Sequence, residues 1–424
     1  MARTTLATAL ALTLVATGGT IVTWSASASP GPATDRLAPL HAAGPNAIDG
    51  RYIVVLKQPA KSAAQTSTAR ALTAPKATAQ EAGGTVRREY TGTLQGFSAD
   101  LPPAALDEIR RDPAVAYVQP VRIHRQEAPA ASQPATKATQ KRAPWHLDRI
   151  DQRKLPLDTS YTPKGDAAGV PVYVLDSGIR ASHKEFGGRA SGVYSAIKDG
   201  KGTKDCANHG TFVASHIAGK TYGVAKKAKV RAVRILGCDN SATTEEIIDG
   251  MNWTARHAPK SSVVNMSIQS ADGFADQAMD DAAKAMINKG LILVFISGNF
   301  GKGDCQNSPK DPRAVTMGAT TKKDARNTGS NPSSYGSCLT AFAPGAGVSG
   351  AGKDSDTHVL TGWNGTSFAA PLATGTIAIA LRDNPKLTMA QAKKLIVSAA
   401  TPGRLTNIGK GSPNRLLYAG NAKR

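Results

Sequence analysis

Ser367 lies where a serine hydroxyl could act as a nucleophile. It follows Gly365 and Thr366, and an apolar run rich in small residues extends from Phe368 to Leu381. This pattern predicts a tight loop that delivers Ser367 to the first turn of a buried helix, with Pro371 in the same turn, where proline is tolerated. The first N–H groups of a helix have no internal partner and could hold an oxyanion beside the serine. An N-cap serine on a packing helix is the alternative interpretation.

Two further stretches offer the partners that such a serine needs. An apolar run ends at Asp176, as expected of a buried parallel strand with a carboxylate at its C-terminal edge. His209 opens a stretch with helical character and an apolar face. An imidazole could take the serine proton near neutral pH, and the carboxylate could accept the other ring N–H. The sequence therefore predicts a triad of Asp176, His209 and Ser367.

Four other histidines lie in no motif that would bring them to a cleft. They are His183, His216, His257 and His358. His216 follows His209 by seven residues, on the same face of the predicted helix, and we expect a structural role for it.

These motifs and their chain order resemble the subtilisin-like serine proteases, and more narrowly their proteinase K-like secreted branch. The resemblance extends from about Arg51 to Tyr418. It implies an acyl-enzyme on Ser367 and an oxyanion donor at Asn299, in the segment after an apolar strand. The α/β-hydrolases are disfavoured, because Gly365–Ala369 lacks the second glycine of their nucleophile elbow.

From Pro144 onward, apolar strands alternate with amphipathic helices. This alternation predicts an α/β fold with a mainly parallel sheet covered by helices on both faces, and with sites at the carboxyl ends of its strands. Strands are expected at 170–175, 228–235, 262–267, 291–296 and 314–318, and helices at 208–219, 243–257, 274–289, 366–382 and 388–400.

Three segments are expected before the peptidase domain, which we place at 144–424. Residues 1–28 have the basic, apolar, A-x-A order of a secretory signal; a membrane anchor is the alternative. Residues 29–124, with a compact part at about 51–121, show a βαββαβ order, a ferredoxin-like α+β unit. That order resembles the family's inhibitory propeptide, which implies a folding aid whose tail occupies the active cleft. Residues 125–143 form a linker with the maturation site, either near 126–131 or at Ala138.

Composition limits the other classes of function. The chain has 424 residues, 41% of them hydrophobic, and a formal net charge of +21. Such a charge attracts polyanions, but the basic residues are scattered and form no recognition motif, so no specific nucleic acid partner is expected. After the leader, no stretch approaches the roughly 20 apolar residues of a membrane span. We expect a monomer whose partners are protein or peptide substrates and its own propeptide.

Four cysteines, Cys206, Cys238, Cys305 and Cys338, lie within the predicted peptidase domain. Secretion favours disulfides, and four cysteines allow three pairings. The family resemblance favours Cys206–Cys238 and Cys305–Cys338. Metal binding and a catalytic cysteine are the alternatives, and neither has a supporting spacing.

Substrate is expected to bind as an added strand. The resemblance places it between Asn240–Ala242, with Ser241 and Ala242 in contact, and a segment formed by Ser267, Ile268 and Gln269. Here Ile268-Gln269-Ser270 replaces the usual Leu-Gly-Gly, and Ile296-Ser297 replaces two alanines. We therefore expect a narrower or more polar pocket for the residue before the scissile bond than the aromatic-accepting pocket of the branch. Phe212 and Phe368 replace a usual His and Met, changes compatible with activity.

Catalysis is expected to need no cofactor, but structural calcium is possible. Asp148, Asp151 and Gln152 would share one helix face, and Asp158 with Ser160 could complete a cage of oxygen ligands. The segment resembles a calcium-binding N-terminal segment of several family members. A helix cap with an ion pair to Arg149 or Arg153 is the alternative. A second family site near Pro309 would need an acid where Thr340 stands, so it is not expected.

We therefore expect a secreted serine endopeptidase made as a self-processing zymogen. One rival keeps the fold but acts only on its own propeptide or on esters. Another is a binding protein that uses its basic surface on polyanions.

Overall fold

The structure is a computed structural model that describes residues 37–58, 68–126, 143–270, 273–303 and 307–420. The predicted signal segment, most of the predicted linker (127–142) and Cys305 lie outside the described residues.

The first part of the described chain has the predicted βαββαβ order. Its elements are β1 (Ala47–Leu56), α1 (Thr68–Glu81), β2 (Thr85–Tyr90), β3 (Gly96–Asp100), α2 (Pro103–Arg111) and β4 (Val115–Arg125). The strands pair antiparallel in the order β2-β3-β1-β4. The sheet extends beyond the expected compact part of about 51–121, because β1 begins four residues earlier and β4 continues to Arg125.

Successive side chains of β1 point to opposite faces of this sheet, and the two sets pack in different hydrophobic cores. Val54 and Leu56 pack with α1 and α2 in a core of their own, whereas Ile53 and Val55 belong to the main core of the chain. One face of the small sheet is therefore covered by its own helices, and the other face is covered by the second part of the chain.

The second part is built on a nine-stranded sheet in the order β15-β16-β12-β11-β10-β9-β5-β7-β6. Its elements are α3 (Trp145–Ile150), β5 (Pro171–Asp176), β6 (Ala190–Ser195), α4 (His209–Ala218), β7 (Lys229–Arg234), β8 (Ser241–Thr243), α5 (Thr244–His257), β9 (Val263–Met266), α6 (Gln277–Asn288), β10 (Ile292–Ile296), β11 (Val315–Thr320), β12 (Ala341–Pro344), β13 (Ala346–Ala351), β14 (Val359–Asn364), α7 (Thr366–Asp383), α8 (Met389–Ala399), β15 (Thr401–Pro402) and β16 (Arg415–Leu416).

This sheet confirms the predicted α/β class. Neighbouring strands from β16 to β6 are parallel, and only the edge pair β15–β16 is antiparallel. Every residue of β9, β10 and β11 is buried, as expected of a sheet covered on both faces. Helix α4 packs on α7 and α5 packs on α6, and these two pairs supply the cover.

Pro371 does not lie in the first turn of α7, and the prediction for it was wrong. It is the sixth residue of a helix that begins at Thr366, so its missing N–H leaves the carbonyl of Ser367 without its i+4 donor. The Ser267 hydroxyl donates to that carbonyl at 2.9 Å. A side chain from after β9 therefore satisfies the backbone group that proline cannot, and the helix continues.

Cys206 and Cys238 form a disulfide, which confirms that pairing. Cys338 is also disulfide-bonded, and its predicted partner Cys305 lies outside the described residues. Within the described ranges, no helix is both long and apolar enough to cross a lipid bilayer.

Candidate active site

The structure brings Asp176, His209 and Ser367 together at one end of the sheet. Asp176 is the last residue of β5, and its Oδ1 accepts a hydrogen bond from His209 Nδ1 at 2.8 Å. Ser367 is the second residue of α7, and the next residue, Phe368, places its ring 5.9 Å from the His209 imidazole. All three predicted residues are buried.

The Ser367 hydroxyl is hydrogen-bonded to a backbone carbonyl and not to the imidazole. Its Oγ donates to the carbonyl of Ser267 at 3.4 Å, and within the described residues it makes no hydrogen bond to His209. Catalytic hydrogen bonds are often long or unformed before substrate binds.

A second carboxylate holds the loop that carries His209. Asp205 is buried, and its Oδ1 accepts hydrogen bonds from Ser177 Oγ and from the N–H groups of Ala207 and Asn208, at 2.9 to 3.0 Å. Its Oδ2 accepts from the N–H and hydroxyl of Thr211. Asp205 therefore fixes the backbone on both sides of His209. The sequence analysis missed it, although an acid just before the candidate base was a signal for it.

Two carboxylates set the charge state of His209. Burial lowers the pKa of its imidazole, but the charge and hydrogen bond of Asp176, with the charge of Asp205, outweigh burial and raise the pKa above its usual value. The two carboxylates therefore stabilise the imidazolium that forms when His209 accepts a proton.

Asn299 is held in an orientation that suits an oxyanion donor. It lies just after β10, and its Oδ1 accepts both the N–H and the hydroxyl of Thr366, at 2.8 and 2.7 Å. Because these donors identify the amide oxygen, the Nδ2 group is the part of the amide left to donate elsewhere. The N–H of Ser367, in the first turn of α7, has no intrahelical partner and is the second candidate donor. Thr366 is a further residue that the sequence analysis missed.

The two departures from the usual residues, Phe212 and Phe368, pack together behind the triad. Their rings lie 4.8 Å apart, and Phe212 stacks on Trp363 at 4.4 Å. The site is therefore backed by a buried aromatic cluster that joins α4, β14 and α7.

The strand at the end of the first part runs along the predicted substrate segments. Strand β4 pairs antiparallel with β8, where His124 faces Ala242 and Arg125 faces Ser241. The next residue, Gln126, donates its N–H to the Asn240 carbonyl at 2.8 Å and its side-chain amide to the Gln269 carbonyl at 3.3 Å. The two predicted segments therefore lie on either side of this tail.

The four remaining pocket residues are buried. Ser267 is bonded to the Ser367 carbonyl, and Ile268 and Ile296 belong to the main apolar core. Gln269 extends its side chain to the N–H of Asn299 at 3.0 Å. Asn307, another missed residue, bonds to Ile268, Ser270 and Ile296.

The predicted calcium ligands are only partly brought together. The Asp148 carboxylate accepts the N–H groups of Asp158 and Thr159 at 3.3 and 2.7 Å, and Gln152 Oε1 accepts the same Asp158 N–H at 3.3 Å. Burial raises the pKa of Asp148. The hydroxyl of Ser160 bonds to Asp158, so these side chains surround one loop.

The prediction that Asp148, Asp151 and Gln152 share one helix face was wrong. Helix α3 ends at Ile150, so Asp151 and Gln152 lie past its end. One Asp151 oxygen, Oδ2, accepts the N–H of Thr162 at 2.7 Å. The alternative prediction was a local ion pair between these acidic residues and Arg149 or Arg153. Arg149 instead pairs with Asp324, far along the chain.

A parallel sheet with an Asp–His pair beside a serine at a helix N-terminus defines a serine hydrolase of the α/β class. Residues 167–419 match the Subtilase family, and residues 51–125 match Peptidase inhibitor I9. The chain belongs to the subtilase family. It is a subtilisin-like serine endopeptidase preceded by an I9 propeptide domain, of a family that needs no cofactor for catalysis.

Individual proteins support this assignment. The chain is 39% identical to an extracellular serine proteinase of Thermus sp. (strain Rt41A), over 94% of this chain and 97% of the relative. It is 34% identical to a cuticle-degrading serine protease of Arthrobotrys oligospora, over 90% and 93% of the two chains. The crystal structure of a cold-adapted subtilisin-like serine proteinase matches with a TM-score of 0.61 and 38% identity, covering 66% of this chain and all of that one.

Two buried histidines lie beneath the site without facing it. His216 Nδ1 bonds to the Phe212 carbonyl at 2.9 Å, and His146 Nε2 bonds to the Tyr222 carbonyl at 3.0 Å. Their rings lie 4.6 Å apart. Burial lowers the pKa of both rings, that of His216 to about 4. Their contacts are those of structural residues.

We predict that His216→Phe weakens the loss of stability in acid. The unfolded chain protonates His216 near pH 6.5 and the folded chain only near 4, so stability falls as pH drops through this window. This difference in pKa between the unfolded and the folded chain corresponds to a loss of about 3 kcal/mol in the free energy of unfolding once His216 is protonated. Thermal midpoints from pH 7 to 4 should therefore fall less in the variant than in the wild type; equal falls would contradict the prediction.

Proposed function

We propose that this chain is a secreted zymogen that cuts off its own propeptide and then hydrolyses peptide bonds through an acyl-enzyme on Ser367. The observation that carries the proposal is the buried 2.8 Å hydrogen bond between Asp176 and His209, at the N-terminus of the helix that bears Ser367. A serine is a weak nucleophile without such a base.

In the proposed reaction, His209 Nε2 takes the Ser367 proton as Oγ attacks the substrate carbonyl. Asp176 holds the proton on Nδ1, fixes the tautomer and stabilises the imidazolium. The resulting oxyanion receives hydrogen bonds from Asn299 Nδ2 and from the Ser367 N–H. The imidazolium then protonates the leaving amine, and a water molecule activated by His209 hydrolyses the acyl-enzyme.

The first domain supplies the inhibitor in this proposal. Its tail strand β4 occupies the side of β8, where a substrate strand would add. Ion pairs strengthen the contact, since Arg88 pairs with Asp249 and Arg87 with Glu245. Asn252 Oδ1 also accepts three successive backbone N–H groups, those of residues 91–93. Such a tail blocks the cleft until it is cut within 125–143.

Secretion is proposed from the signal-like residues 1–28 and from the relatives that are named extracellular. The partners proposed are protein and peptide substrates and the propeptide, with a monomeric enzyme and no specific nucleic acid partner.

A rival enzyme acts only on its own propeptide or on small esters. The observation that favours it is the Gln269 side chain, which reaches across to Asn299 and leaves less room for a substrate side chain. Assays of the matured protein on casein and on a small ester distinguish the proposed endopeptidase from this rival. Turnover of both substrates supports a general endopeptidase, and turnover of the ester alone supports the rival.

Comparing the intact mass of the secreted wild-type protein with that of the secreted Ser367→Ala variant tests the proposal. The wild type should lose the propeptide up to a residue within 125–143, and the variant should keep it, because it lacks the nucleophile. Thr376→Ala, which alters another hydroxyl of α7 remote from the triad, is a matched control and should mature normally. Equal processing of the Ser367→Ala variant and the wild type would contradict self-cleavage.

We also propose a structural calcium site around Asp148. The residues fit in part, because Asp148, Gln152, Asp158 and Ser160 offer hard oxygen ligands around one loop, whereas Asp151 faces Thr162. Calcium would offset the burial that raises the pKa of Asp148. Its role would be to fix this loop, outside the chemical steps.

We predict that Ca²⁺ raises the thermal midpoint of the Ser367→Ala zymogen, and that Asp158→Asn abolishes the rise. At a free Ca²⁺ concentration of about 100 times the dissociation constant, binding should raise the free energy of unfolding by about 3 kcal/mol. Asp151→Asn is the matched control and should keep the response. A midpoint that neither Ca²⁺ nor a chelator changes would contradict the site.

A further inference from the structure

The side chain of Gln269 crosses the gap between two backbone segments beside the nucleophile. Gln269 ends the segment that starts at Ser267, and its Oε1 accepts the N–H of Asn299, after β10, at 3.0 Å. Gln269 is 1% exposed. Its amide is therefore held between the two segments and not in solvent.

A second buried amide bridges the same segments. Asn307 Oδ1 accepts the N–H of Ser270 at 3.0 Å, and Asn307 Nδ2 donates to the carbonyls of Ile268 and Ile296, both at 3.4 Å. Gln269 and Asn307 thus both hydrogen-bond across the two segments that the family resemblance places beside the substrate. Both bridges are made by buried amide groups.

The propeptide tail places an amide against this region. Gln126 is 5% exposed and donates its side-chain N–H to the Gln269 carbonyl at 3.3 Å, while its backbone N–H bonds to Asn240. The chain's own occupant of the cleft therefore hydrogen-bonds to the backbone of Gln269, while the Gln269 side chain stays bonded to Asn299.

Gln269 also completes the support of Asn299. Thr366 fixes the Asn299 side chain with two hydrogen bonds to Oδ1, and Gln269 fixes its backbone N–H. Oxyanion donors act because they are already oriented when the charge develops, so a loss of position lowers the rate. Without the Gln269 acceptor, the buried N–H of Asn299 would be left unpaired or would move to find a partner.

We infer that Gln269 is both a positioning residue for Asn299 and the residue that determines specificity for the side chain before the scissile bond. It favours peptides with a small or amide-bearing residue there, such as Ala, Ser or Gln, over those with an aromatic residue. The inference rests on the proposed function, because it assumes that Asn299 stabilises the oxyanion and that Ser367 attacks.

A double-mutant cycle tests the positioning role, with variants matured in trans by immobilised wild-type enzyme. Gln269→Met keeps the length but removes the acceptor, and should lower kcat about tenfold, with a smaller change in KM on an Ala peptide. Asn299→Ala should lower kcat by about 10²–10³-fold. In the Asn299→Ala background, Gln269→Met should have less than about a twofold effect, because the residue it positions is gone. A full tenfold loss in both backgrounds would overturn the positioning role.

Matched peptide anilides with Phe, Ala or Gln before the bond test specificity. The wild type should favour Ala and Gln, and Gln269→Gly should raise the ratio of kcat/KM for Phe to that for Ala at least about tenfold. Asn288→Gly removes an exposed amide at the end of α6 and should leave the ratio unchanged. A wild-type preference for Phe, or an unchanged ratio in Gln269→Gly, would overturn the specificity role.

Controls separate this inference from the proposed function. Gln269→Asn, whose shorter side chain cannot reach Asn299, is a second variant and should match Gln269→Met if both fold with wild-type circular dichroism. If the wild type cleaves none of the peptides, or Ser367→Ala cleaves them equally, the proposed function itself fails. If the wild type is active and every Gln269 variant behaves like it, only the inference on Gln269 fails.

Discussion

The buried hydrogen bond between Asp176 and His209 is the interaction on which the rest of the site depends. A carboxylate with essentially no exposure is costly unless it is paired, and here the imidazole supplies the partner at 2.8 Å. The parallel sheet provides the place, because β5 ends at Asp176 at the edge where strand ends and helix starts converge. Asp205 adds a second buried carboxylate that holds the loop before His209 and shares in raising its pKa.

The N-terminus of α7 is fixed to this pair by backbone constraints. Pro371 removes the donor that the Ser367 carbonyl would have inside the helix, and the Ser267 hydroxyl replaces it. Thr366 binds the amide oxygen of Asn299 from the same turn. The proposed nucleophile, the proposed oxyanion donor and the segment after β9 are therefore linked through two consecutive residues, Thr366 and Ser367, and their partners.

The sequence was sufficient for features that follow from strong local patterns. Alternation of apolar strands and amphipathic helices predicted the order and class of the fold, and the motifs around Asp176, His209 and Ser367 predicted residues that the structure brings together. It was insufficient where side chains meet from distant parts of the chain. Thr366 and Asn307 act through contacts that no spacing reveals. Strands β15 and β16 have only two residues each, too few for a sequence pattern, so their pairing is set by tertiary contacts.

The loop around Asp148 shows the same limit. Spacing suggested a shared helix face, but α3 ends at Ile150, so Asp151 turns toward Thr162. In the cleft, residue types predicted a changed pocket. The position of the Gln269 amide, bonded across the gap to Asn299, depends on two segments 30 residues apart in sequence and could be seen only in three dimensions.

Mass mapping of a fluorophosphonate adduct tests the central claim that His209 activates Ser367 as the nucleophile. On this account, the matured wild type takes up one label per chain on Ser367, and the labelling rate rises with pH as His209 loses its proton. His209→Ala should label at least about 10³-fold more slowly, because it lacks the proposed base. A label on another residue, or equal rates with and without His209, would contradict the account.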